Sequence, residues 1–432
     1  MQKYTFSQVS DAQELIQKLA HRHLGEQDVE ADVREILANV KTQKDSFLLE
    51  KIREFDCKEF NSPLRVSESE IQQGAAQVSP EDMEIIAEAA RNIRSFHEAQ
   101  LEKSWFQTRE DGSILGQKVS PVHRAGLYVP GGKGGNTPLI SSLLMQAIPA
   151  QVGGVKEIAI VSPPRDNGTL NPYLLAAAYL LDITEVYRVG GPWAIGALAY
   201  GTESIKAVDV ITGPGNQFVT MAKKLVQGQV GIDMLAGPSE ILILADDSAS
   251  PDYIAADLLS QAEHDKLASS VCITTSSYLA EKVLENVNKR LENLPRAEIA
   301  RASLENFGAV VVLPSMQMAV DLANLIAPEH MELMVQEPWN YVPLIHNAGA
   351  LFLGAWSPEP VGDYFAGPNH VLPTQGTARY ASALGVQTFC KKTSIIASSM
   401  KFTRGKASAI AKLARMEGLE AHAQSLEVRK IN

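Results

Sequence analysis

Two short segments of the sequence bring together side chains that bind metal ions and side chains that move protons. Gln261 and His264 lie three positions apart at the end of an apolar-patterned helical stretch, so they project from nearly one face and could hold one ion. Glu329 and His330 follow a second such stretch and pair a carboxylate with the side chain that titrates near neutral pH. We interpret the segments as a metal site beside a proton-transfer site, which indicates an enzyme.

Simpler explanations exist for some of these residues. A histidine at the C-terminal end of a helix is stabilised by the helix dipole, which would account for Glu329 and His330 without catalysis. Pro328 weakens this alternative, because proline tends to break the helix and to present the next two side chains from a turn. Ser239 precedes a predicted buried strand, where its hydroxyl either contacts a substrate or caps a turn.

Further nitrogen and oxygen ligands occur toward the C-terminus. Asp363 and His370 lie in the Gly/Pro-rich segment 358–373, which predicts an ordered loop where functional residues concentrate. His422 lies on a predicted terminal helix, where a lone histidine is more often a surface residue. Glu417 precedes it by five positions, about 140° around a helix, so the two are not expected to hold the same atom. Ligands of this kind, without cysteine, favour zinc, cobalt or manganese over an iron–sulfur cluster.

Two glycine-rich segments, 128–136 and 213–216, could bring backbone N–H groups close to a phosphate. Each follows a predicted strand, and the second opens a predicted helix, so both are possible anion sites. Neither matches the G-x-G-x-x-G pattern of dinucleotide-binding folds, and no Walker A motif occurs. A plain tight turn is the simpler explanation of each, so these residues alone do not establish dinucleotide binding.

The composition is that of an ordinary globular protein with more than one packed unit. The chain has 432 residues, whereas single cores stop growing near ~250–300 residues. A net charge of −11 and the lack of a basic stripe argue against nucleic acid as a partner. The three cysteines are far apart, which fits a reducing cytoplasm. The N-terminal residues lack the apolar segment of a secretory signal, and no run of 18 apolar residues occurs, so neither export nor a membrane span is expected.

The pattern of polar and apolar residues along the chain predicts helices first and then alternating strands and helices. Residues 1–110 are polar and predict amphipathic helices over 32–54 and 80–101. Residues 111–128, with Asp111-Gly112 as a turn signal, predict a hairpin. Further strands are predicted at 157–161, 185–189, 207–211, 241–244, 270–274, 309–313 and 350–353. Helices are predicted at 174–181, 194–200, 217–227, 251–261, 279–291, 318–326 and 407–429. This alternation predicts two units of parallel sheet covered on both faces by helices.

Seven separated strings of the sequence resemble motifs of the histidinol dehydrogenase family, and they occur in the family's order. They are GLYVPGG, TGPGNQFVT, AGPSEILILAD, DLLSQAEHD, IAPEHMEL, GPNHVLPT and EGLEAHAQSLEVR. The resemblance runs from about Ile114 to Arg429 and implies an α/β fold with two incomplete Rossmann-like domains. The domains implied are a mainly helical region over 1–110, a NAD-side domain over 111–238, and a second domain with the metal and acid–base residues over 239–380. Residues 381–432 are implied to form a C-terminal extension of loop and helix that is exchanged in the dimer.

The resemblance also implies a reaction, its cofactors and its residues. The reaction is the oxidation of L-histidinol to L-histidine through L-histidinal, the last two steps of histidine biosynthesis. It reduces two NAD⁺ per histidinol. The resemblance also implies one Zn²⁺ per subunit and a homodimer whose active sites are shared through the exchanged extension. The implied zinc ligands are Gln261, His264, Asp363 and His422, and the implied acid–base pair is Glu329 and His330. Substrate contacts fall on Ser239, His330, His370, Glu417 and the metal ligands, and NAD contacts on Tyr128 and Asn216.

Two departures from the family pattern lie on the cofactor side. Gly190-Gly191-Pro192-Trp193 stands where Gly-Gly-Ala-Gln is usual, so an indole replaces a carboxamide that contacts the cofactor. The loop 133–139 is also longer than usual. Two alternatives stay open: a related zinc and NAD dehydrogenase for another small alcohol, and a metal hydrolase that uses zinc-bound water and needs no dinucleotide.

Overall fold

The computed structural model describes residues 1–22, 26–132 and 135–431, and this part of the chain forms two parallel sheets and one antiparallel sheet. Helices cover both faces of the parallel sheets, so the predicted α/β fold is confirmed. Strands β1 to β14 span Gln2–Thr5, Trp105–Thr108, Ile114–Pro121, Arg124–Tyr128, Glu157–Ser162, Glu185–Arg188, Val210–Thr212, Gly231–Ile232, Glu240–Ala245, Ser269–Thr274, Gly308–Val312, His330–Met334, Ala350–Leu353 and Cys390–Ala397. Helices α1 to α16 span Gln13–Ala20, Glu26–Gln43, Asp45–Phe55, Glu68–Ala75, Pro80–Glu98, Ile140–Gly153, Pro172–Leu180, Gly191–Tyr200, Gln217–Val226, Pro251–Ala262, Ser277–Leu291, Ala297–Phe307, Met316–Ile326, Glu359–Val361, Met400–Met416 and Glu420–Ile431.

The first parallel sheet has the strand order β6-β5-β4-β7-β8. Its central strands are apolar on both faces, because each face is covered by helices. The N-terminal helices complete this covering: α2 packs against α8 and α9, α4 against α7, and α5 against α6. The predicted amphipathic helices therefore bury their apolar faces against this sheet's own helices.

The second parallel sheet has the order β1-β11-β10-β9-β12-β13. Its edge strand β1 comes from the start of the chain and pairs with β11, and α1 packs against α13. The polar texture of residues 1–110 does not predict β1, and it does not predict β2. The domain boundaries after residues 110, 238 and 380 stay a prediction.

The hairpin predicted over 111–128 is wrong in its second half. The turn at Asp111-Gly112 is present, with Gly112 at φ +83°, but it joins β2 to β3, and β3 also pairs with β14. Strand β4 instead enters the middle of the first parallel sheet. The physical reason is burial: all five residues of β4 are buried, so the strand needs cover on both faces, which a hairpin does not give.

Two predicted long helices are each divided by a residue with positive φ. The helix predicted over 32–54 is two helices, separated at Lys44 with φ +51°. The helix predicted over 407–429 is also two, α15 and α16, separated at Gly418 with φ +73°. Leu419 N–H donates to the carbonyl of Ala414 at 2.8 Å, a bond that ends α15 in the manner of a glycine C-cap. No helix in the described part of the chain has the length and apolarity that a membrane span requires.

The amino-terminal edge of the first sheet is held by a buried arginine, and this gives a stability prediction. Arg124 donates to Glu157 at 2.9 Å and to Glu185 at 2.9 and 2.6 Å, and its side chain is 4% exposed. Arg124→Met should lower the free energy of unfolding by about 1.5–3 kcal/mol, because hydrogen bonds to charged partners are lost from a buried position. Urea unfolding followed by far-UV circular dichroism measures this.

The matched control is Arg34→Met, which removes an exposed pair with Glu30 on α2. This change should alter the free energy of unfolding by less than about 0.5 kcal/mol. An Arg124→Met protein as stable as the wild type would contradict the structural role given to Arg124.

Candidate active site

The predicted acid–base pair lies at the amino-terminal edge of the second sheet. His330 begins β12, Glu329 precedes it, and β12 pairs with β9, which begins at Glu240. His330 is opposite Ile241, so Glu329 lies beside Glu240. Gln261 lies in the last turn of α10, which leads back to this same edge before β10. Strand pairing thus brings together residues that are far apart in sequence.

The first sheet contributes its opposite edge. Tyr128 ends β4 and Gly213 follows β7, so both lie at the carboxyl edge, where ligands bind in open parallel sheets. The segment 233–239 connects the carboxyl end of β8 to the amino end of β9, and it passes through Ser239. Gly237 N–H in this segment donates to Thr374 Oγ1 at 2.6 Å. The predicted cofactor residues and the predicted acid–base residues are therefore on the two sheet edges that this segment joins.

His330 is held so that one ring nitrogen can serve as a base. Its Nδ1 donates to the backbone carbonyl of Glu240 at 2.9 Å. Since a carbonyl can only accept, Nδ1 keeps a proton, and Nε2 is the nitrogen that can lose its proton and act as a base. This buried Nε2 has no hydrogen-bond partner among the residues that the structure describes, and it lies 3.6 Å from Asp363 Oδ1.

Burial and neighbouring charges shift the pKa values of this group strongly. Burial raises the pKa of Glu329 to about 7, against the effect of the adjacent His330. Burial lowers the pKa of His330, but the carboxylates of Glu329 and Asp363 outweigh it and raise the value to about 10. Burial also raises the pKa of Asp363, yet His330 and His370 hold it at about 2. The Asp363 carboxylate is therefore ionised and available to a cation.

Three histidines at the site share one arrangement. In each of them Nδ1 donates to a backbone carbonyl, as already described for His330. The acceptor is the carbonyl of Ser260 for His264, at 2.9 Å, and the carbonyl of Asp363 for His370, at 3.0 Å. In its neutral form each ring thus presents Nε2, the arrangement that metal-binding histidines commonly show. Burial lowers the pKa of His370, and the rings of His330 and His264 lower it further. The three rings are therefore close enough to affect one another's charge.

Gln261 supplies a further acceptor. Its side chain is 1% exposed, and its Oε1 makes no hydrogen bond within the described part of the chain. A buried carbonyl oxygen without a partner is costly, which indicates that a donor or a cation completes it. Asp363 lies in a short π-helical turn, Gly362–Ala366, a distortion that is frequent at functional sites.

Sequence reasoning missed several acidic residues of the site. Glu359 lies with His330 and Asp363 so that one ligand atom from each is within 4.8 Å of the others. Burial raises the pKa of Glu359 to about 8, and it raises that of Glu332 well above its usual range. Glu359 lies in the segment 358–373 that was singled out for Asp363, so its position gave a signal. Glu332 gave none, because it occupies an apolar run.

The structure does not bring Glu417 and His422 to the other site residues within one chain. They lie where α15 ends and α16 begins, and they line a cavity of about 510 Å³ between these two helices. Both side chains are exposed. The two helices pack chiefly against each other, and apolar side chains such as Leu413 and Met416 are exposed on them.

The predicted cofactor residues have structural partners of their own. The Tyr128 hydroxyl is buried and accepts from Gly191 N–H at 3.3 Å, and burial raises its pKa to about 12. Asn216 caps α9, because its Oδ1 accepts from the N–H groups of Phe218 and Val219, both at 3.1 Å. The carboxamide nitrogen of Asn216 is not used in this cap.

The residues that depart from the family pattern lie beside Tyr128. Trp193 lies in the first turn of α8, is 8% exposed, and stacks on Phe55 with ring centroids 5.4 Å apart. Its Nε1 has no hydrogen-bond partner in the ranges that the structure describes. Of the longer loop, residues 133 and 134 lie outside the described residues.

Comparisons with known proteins agree over nearly the whole chain. The family model described as histidinol dehydrogenase matches residues 19–430. The histidinol dehydrogenase of Nitratidesulfovibrio vulgaris is 60% identical over 95% of this chain and 94% of its own, and that of Bacillus subtilis is 51% identical over 94% of each. The crystal structure of histidinol dehydrogenase from Elizabethkingia anophelis matches with a TM-score of 0.93 at 38% identity, covering 99% of this chain and 98% of its own. The chain therefore belongs to the histidinol dehydrogenase family of enzymes.

Proposed function

We propose that the protein oxidises L-histidinol to L-histidine through L-histidinal, with NAD⁺ as the oxidant and zinc as the bound metal. The observation that carries the proposal is the cluster at the amino edge of the second sheet. It combines an unpartnered carboxamide oxygen, an ionised carboxylate and three imidazoles that present Nε2. Family membership adds the substrate, because the named relatives are histidinol dehydrogenases.

The donor set of this cluster fits zinc. Gln261 Oε1, His264 Nε2 and the Asp363 carboxylate are neutral or anionic nitrogen and oxygen ligands of the kind that Zn²⁺ accepts. When bound, zinc would supply a positive centre that holds the imidazole and amino nitrogens of the substrate. Neutralising Asp363 would also remove one cause of the raised pKa of His330, so the ring would more readily be neutral.

His330 and Glu329 would divide the proton transfers between them. NAD⁺ would accept one hydride in each oxidation. Nε2 of His330 accepts the proton of the substrate hydroxyl, and the Nδ1 bond to the Glu240 carbonyl stabilises the imidazolium that forms. The Glu329 carboxylate takes a proton from the water that adds to the aldehyde, and a pKa of about 7 suits this task. His330 returns its first proton to the aldehyde oxygen as water adds, so its Nε2 is free to accept the proton of the second oxidation.

We propose further that two chains form a homodimer in which α15 and α16 complete the partner's site. Within one chain Glu417 and His422 lie apart from the cluster, and the helices that carry them expose apolar side chains. Exposed apolar surface of this kind is typical of an interface. His422 would then be a fourth zinc ligand, and Glu417 would face the ammonium or imidazole N–H of the substrate. Ser239 and His370 would contact the substrate from the second sheet's own edge.

The cytoplasm is the proposed location. The cysteines Cys57, Cys272 and Cys390 are all unpaired, which fits a reducing compartment.

The proposed function is tested directly by the formation of NADH. Histidinol with NAD⁺ should give two NADH per substrate, and the protein should hold about one divalent ion per chain. A chelator should abolish the activity, and Zn²⁺ should restore it. Full oxidation of histidinol by protein shown to be metal-free would contradict the role of zinc, and hydrolysis without NADH would indicate a hydrolase instead.

The roles of Glu329 and His330 predict different losses. Glu329→Gln should slow the oxidation of supplied histidinal by about 10²-fold or more and affect the reduction of histidinal by NADH much less. His330→Asn should slow both, because each hydride transfer needs the base. Separate steady-state assays of the two reactions measure this.

The same roles predict a pH dependence. Because the pKa of Glu329 is raised to about 7, the carboxylate is lost as pH falls through that value, and histidinal oxidation should fall with it. The fall should be absent from the residual activity of Glu329→Gln. If Glu329→Gln slowed the oxidation and the reduction of histidinal equally, Glu329 would not be the residue that activates water.

The shared site predicts complementation between two inactive variants. His264→Ala and His422→Ala should each be inactive alone. After joint unfolding and reassembly, about half of the dimers should be mixed, with one intact site of two, so about a quarter of wild-type activity should return. Mass spectrometry of the intact dimers establishes the mixing. A fully mixed but inactive population would show that the ligands come from one chain.

A further inference from the structure

Arg22, from the segment after α1, is buried against the entry to β9 although it carries a charge. Its side chain is fully buried, and its guanidinium directs five N–H groups to carbonyl and carboxylate oxygens. Nε donates to the backbone carbonyl of Leu19 at 2.8 Å. The two terminal nitrogens donate to the carboxylate of Glu240 and to three backbone carbonyls, those of Leu267 at 2.9 Å, Ser239 at 3.3 Å and Pro238 at 3.4 Å. A lysine could not reproduce this set, because it has three donors on one atom.

The carboxylate of Glu240 is surrounded by donors. Its Oε1 accepts from Arg22 and from the backbone N–H of Gln375 at 2.8 Å, and its Oε2 accepts from the backbone N–H of Glu329 at 3.1 Å. Each of these partners is an N–H group, which stabilises the ionised carboxylate. Burial raises the pKa of Glu240, and Arg22 acts in the opposite direction. Arg22 thus opposes the effect of burial and favours the charged form of Glu240.

Glu240 holds both residues of the acid–base pair, but in different ways. Its backbone N–H donates to Glu329 Oε2 at 2.8 Å while its side chain accepts from the backbone N–H of Glu329, so the two glutamates are bonded reciprocally. The His330 ring contacts Glu240 through the backbone carbonyl, to which its Nδ1 donates. Removal of the Glu240 side chain would therefore free one side of the Glu329 anchor and leave the His330 anchor in place.

We propose that Arg22 and Glu240 are positioning residues that fix Glu329 for the hydration of the aldehyde. The inference rests on the proposed function, since it refines the role of Glu329 in the second oxidation. Neither residue takes or gives a proton in the reaction. Arg22 fixes the Glu240 carboxylate, and this carboxylate fixes the backbone of Glu329 at the start of β12.

The test compares Arg22→Met, Glu240→Met and the double variant. For both single variants, the rate of histidinal oxidation should fall by about 10- to 100-fold, the loss expected from a displaced catalytic group. Reduction of histidinal by NADH, which reports the first oxidation in reverse, should fall by less than about threefold. For Glu240→Met, the KM for histidinol should stay within about twofold. Equal falls in the two reactions would overturn the proposal.

The double variant separates positioning from stability. Each single change leaves a buried charge without its partner and should lower the melting temperature, whereas two methionines of similar volume can restore stability. The proposal expects the double variant to melt near the wild type and still to oxidise histidinal slowly. Recovery of stability together with recovery of histidinal oxidation would show that the pair is merely structural.

Two further variants complete the design. Arg124→Met removes a buried arginine at the far edge of the first sheet, so it should lower stability without changing the ratio of the two reaction rates. If Glu240→Met does not fold, Glu240→Gln takes its place. The amide group of this glutamine must place its own N–H groups against the N–H donors on one side of the site, so a selective loss of histidinal oxidation is again expected. An unchanged ratio of histidinal oxidation to histidinal reduction would overturn the inference. Wild-type protein that forms no NADH from histidinol would refute the proposed function itself. An active wild-type enzyme whose variants lose both reactions equally would refute only the positioning role of Arg22 and Glu240.

Discussion

The parallel pairing of β9 with β12 is the constraint on which the site depends. Successive side chains of a strand point to opposite faces, so a shift of one residue in this register would turn His330 away from α10. The register is held by core packing on both faces. Ile241 and Ile243 of β9 pack beneath α10 and α11, while Met331 and Leu333 of β12 pack on the opposite face, against α1 and α13. The geometry of the proposed acid–base pair is thus a consequence of apolar packing.

The same alternation explains why acidic residues gather beneath the site. His330 and Glu332 lie on the face of β12 opposite to Met331 and Leu333, and this is the face that α10 covers. Asp257 and Gln261 of α10 lie on the same side, and Asp257 and Glu332 interact through their carboxyl groups. Burial raises the pKa of Asp257 to about 6 and that of Glu359 to about 8, so both acids take up protons more readily than exposed carboxyl groups do. Asp363, beside two imidazoles, keeps its charge.

Local patterns predicted those parts of the fold and site that local sequence determines. The apolar runs of β5, β9, β10 and β11 were predicted within a few residues, because strands buried on both faces are apolar throughout. β12 was not predicted: it reads His-Met-Glu-Leu-Met, and its polar residues are buried by partners from α10 that are distant in sequence. β1 was missed for the related reason that its strand character comes from pairing with β11, about 300 residues away.

The site shows the same division. Residue types and spacing singled out Gln261, His264, Glu329 and His330, because each segment contains the chemistry within a few positions. Arg22 and Glu240 could not be found in this way, because their role depends on a contact between residues that are 218 positions apart in sequence.

The tautomers of the histidines are a property of the backbone and not of the side chains. His264, His330 and His370 each direct Nδ1 to a carbonyl oxygen, and the sequence does not encode that contact locally in the case of His330, whose partner is 90 positions away. For His330 the carbonyl belongs to the first residue of β9, so the strand pairing that positions the ring also selects Nε2 as the nitrogen for the proposed role of base. Fold and proton chemistry are therefore coupled at one residue, Glu240, whose backbone sets the tautomer of His330 and whose side chain anchors Glu329.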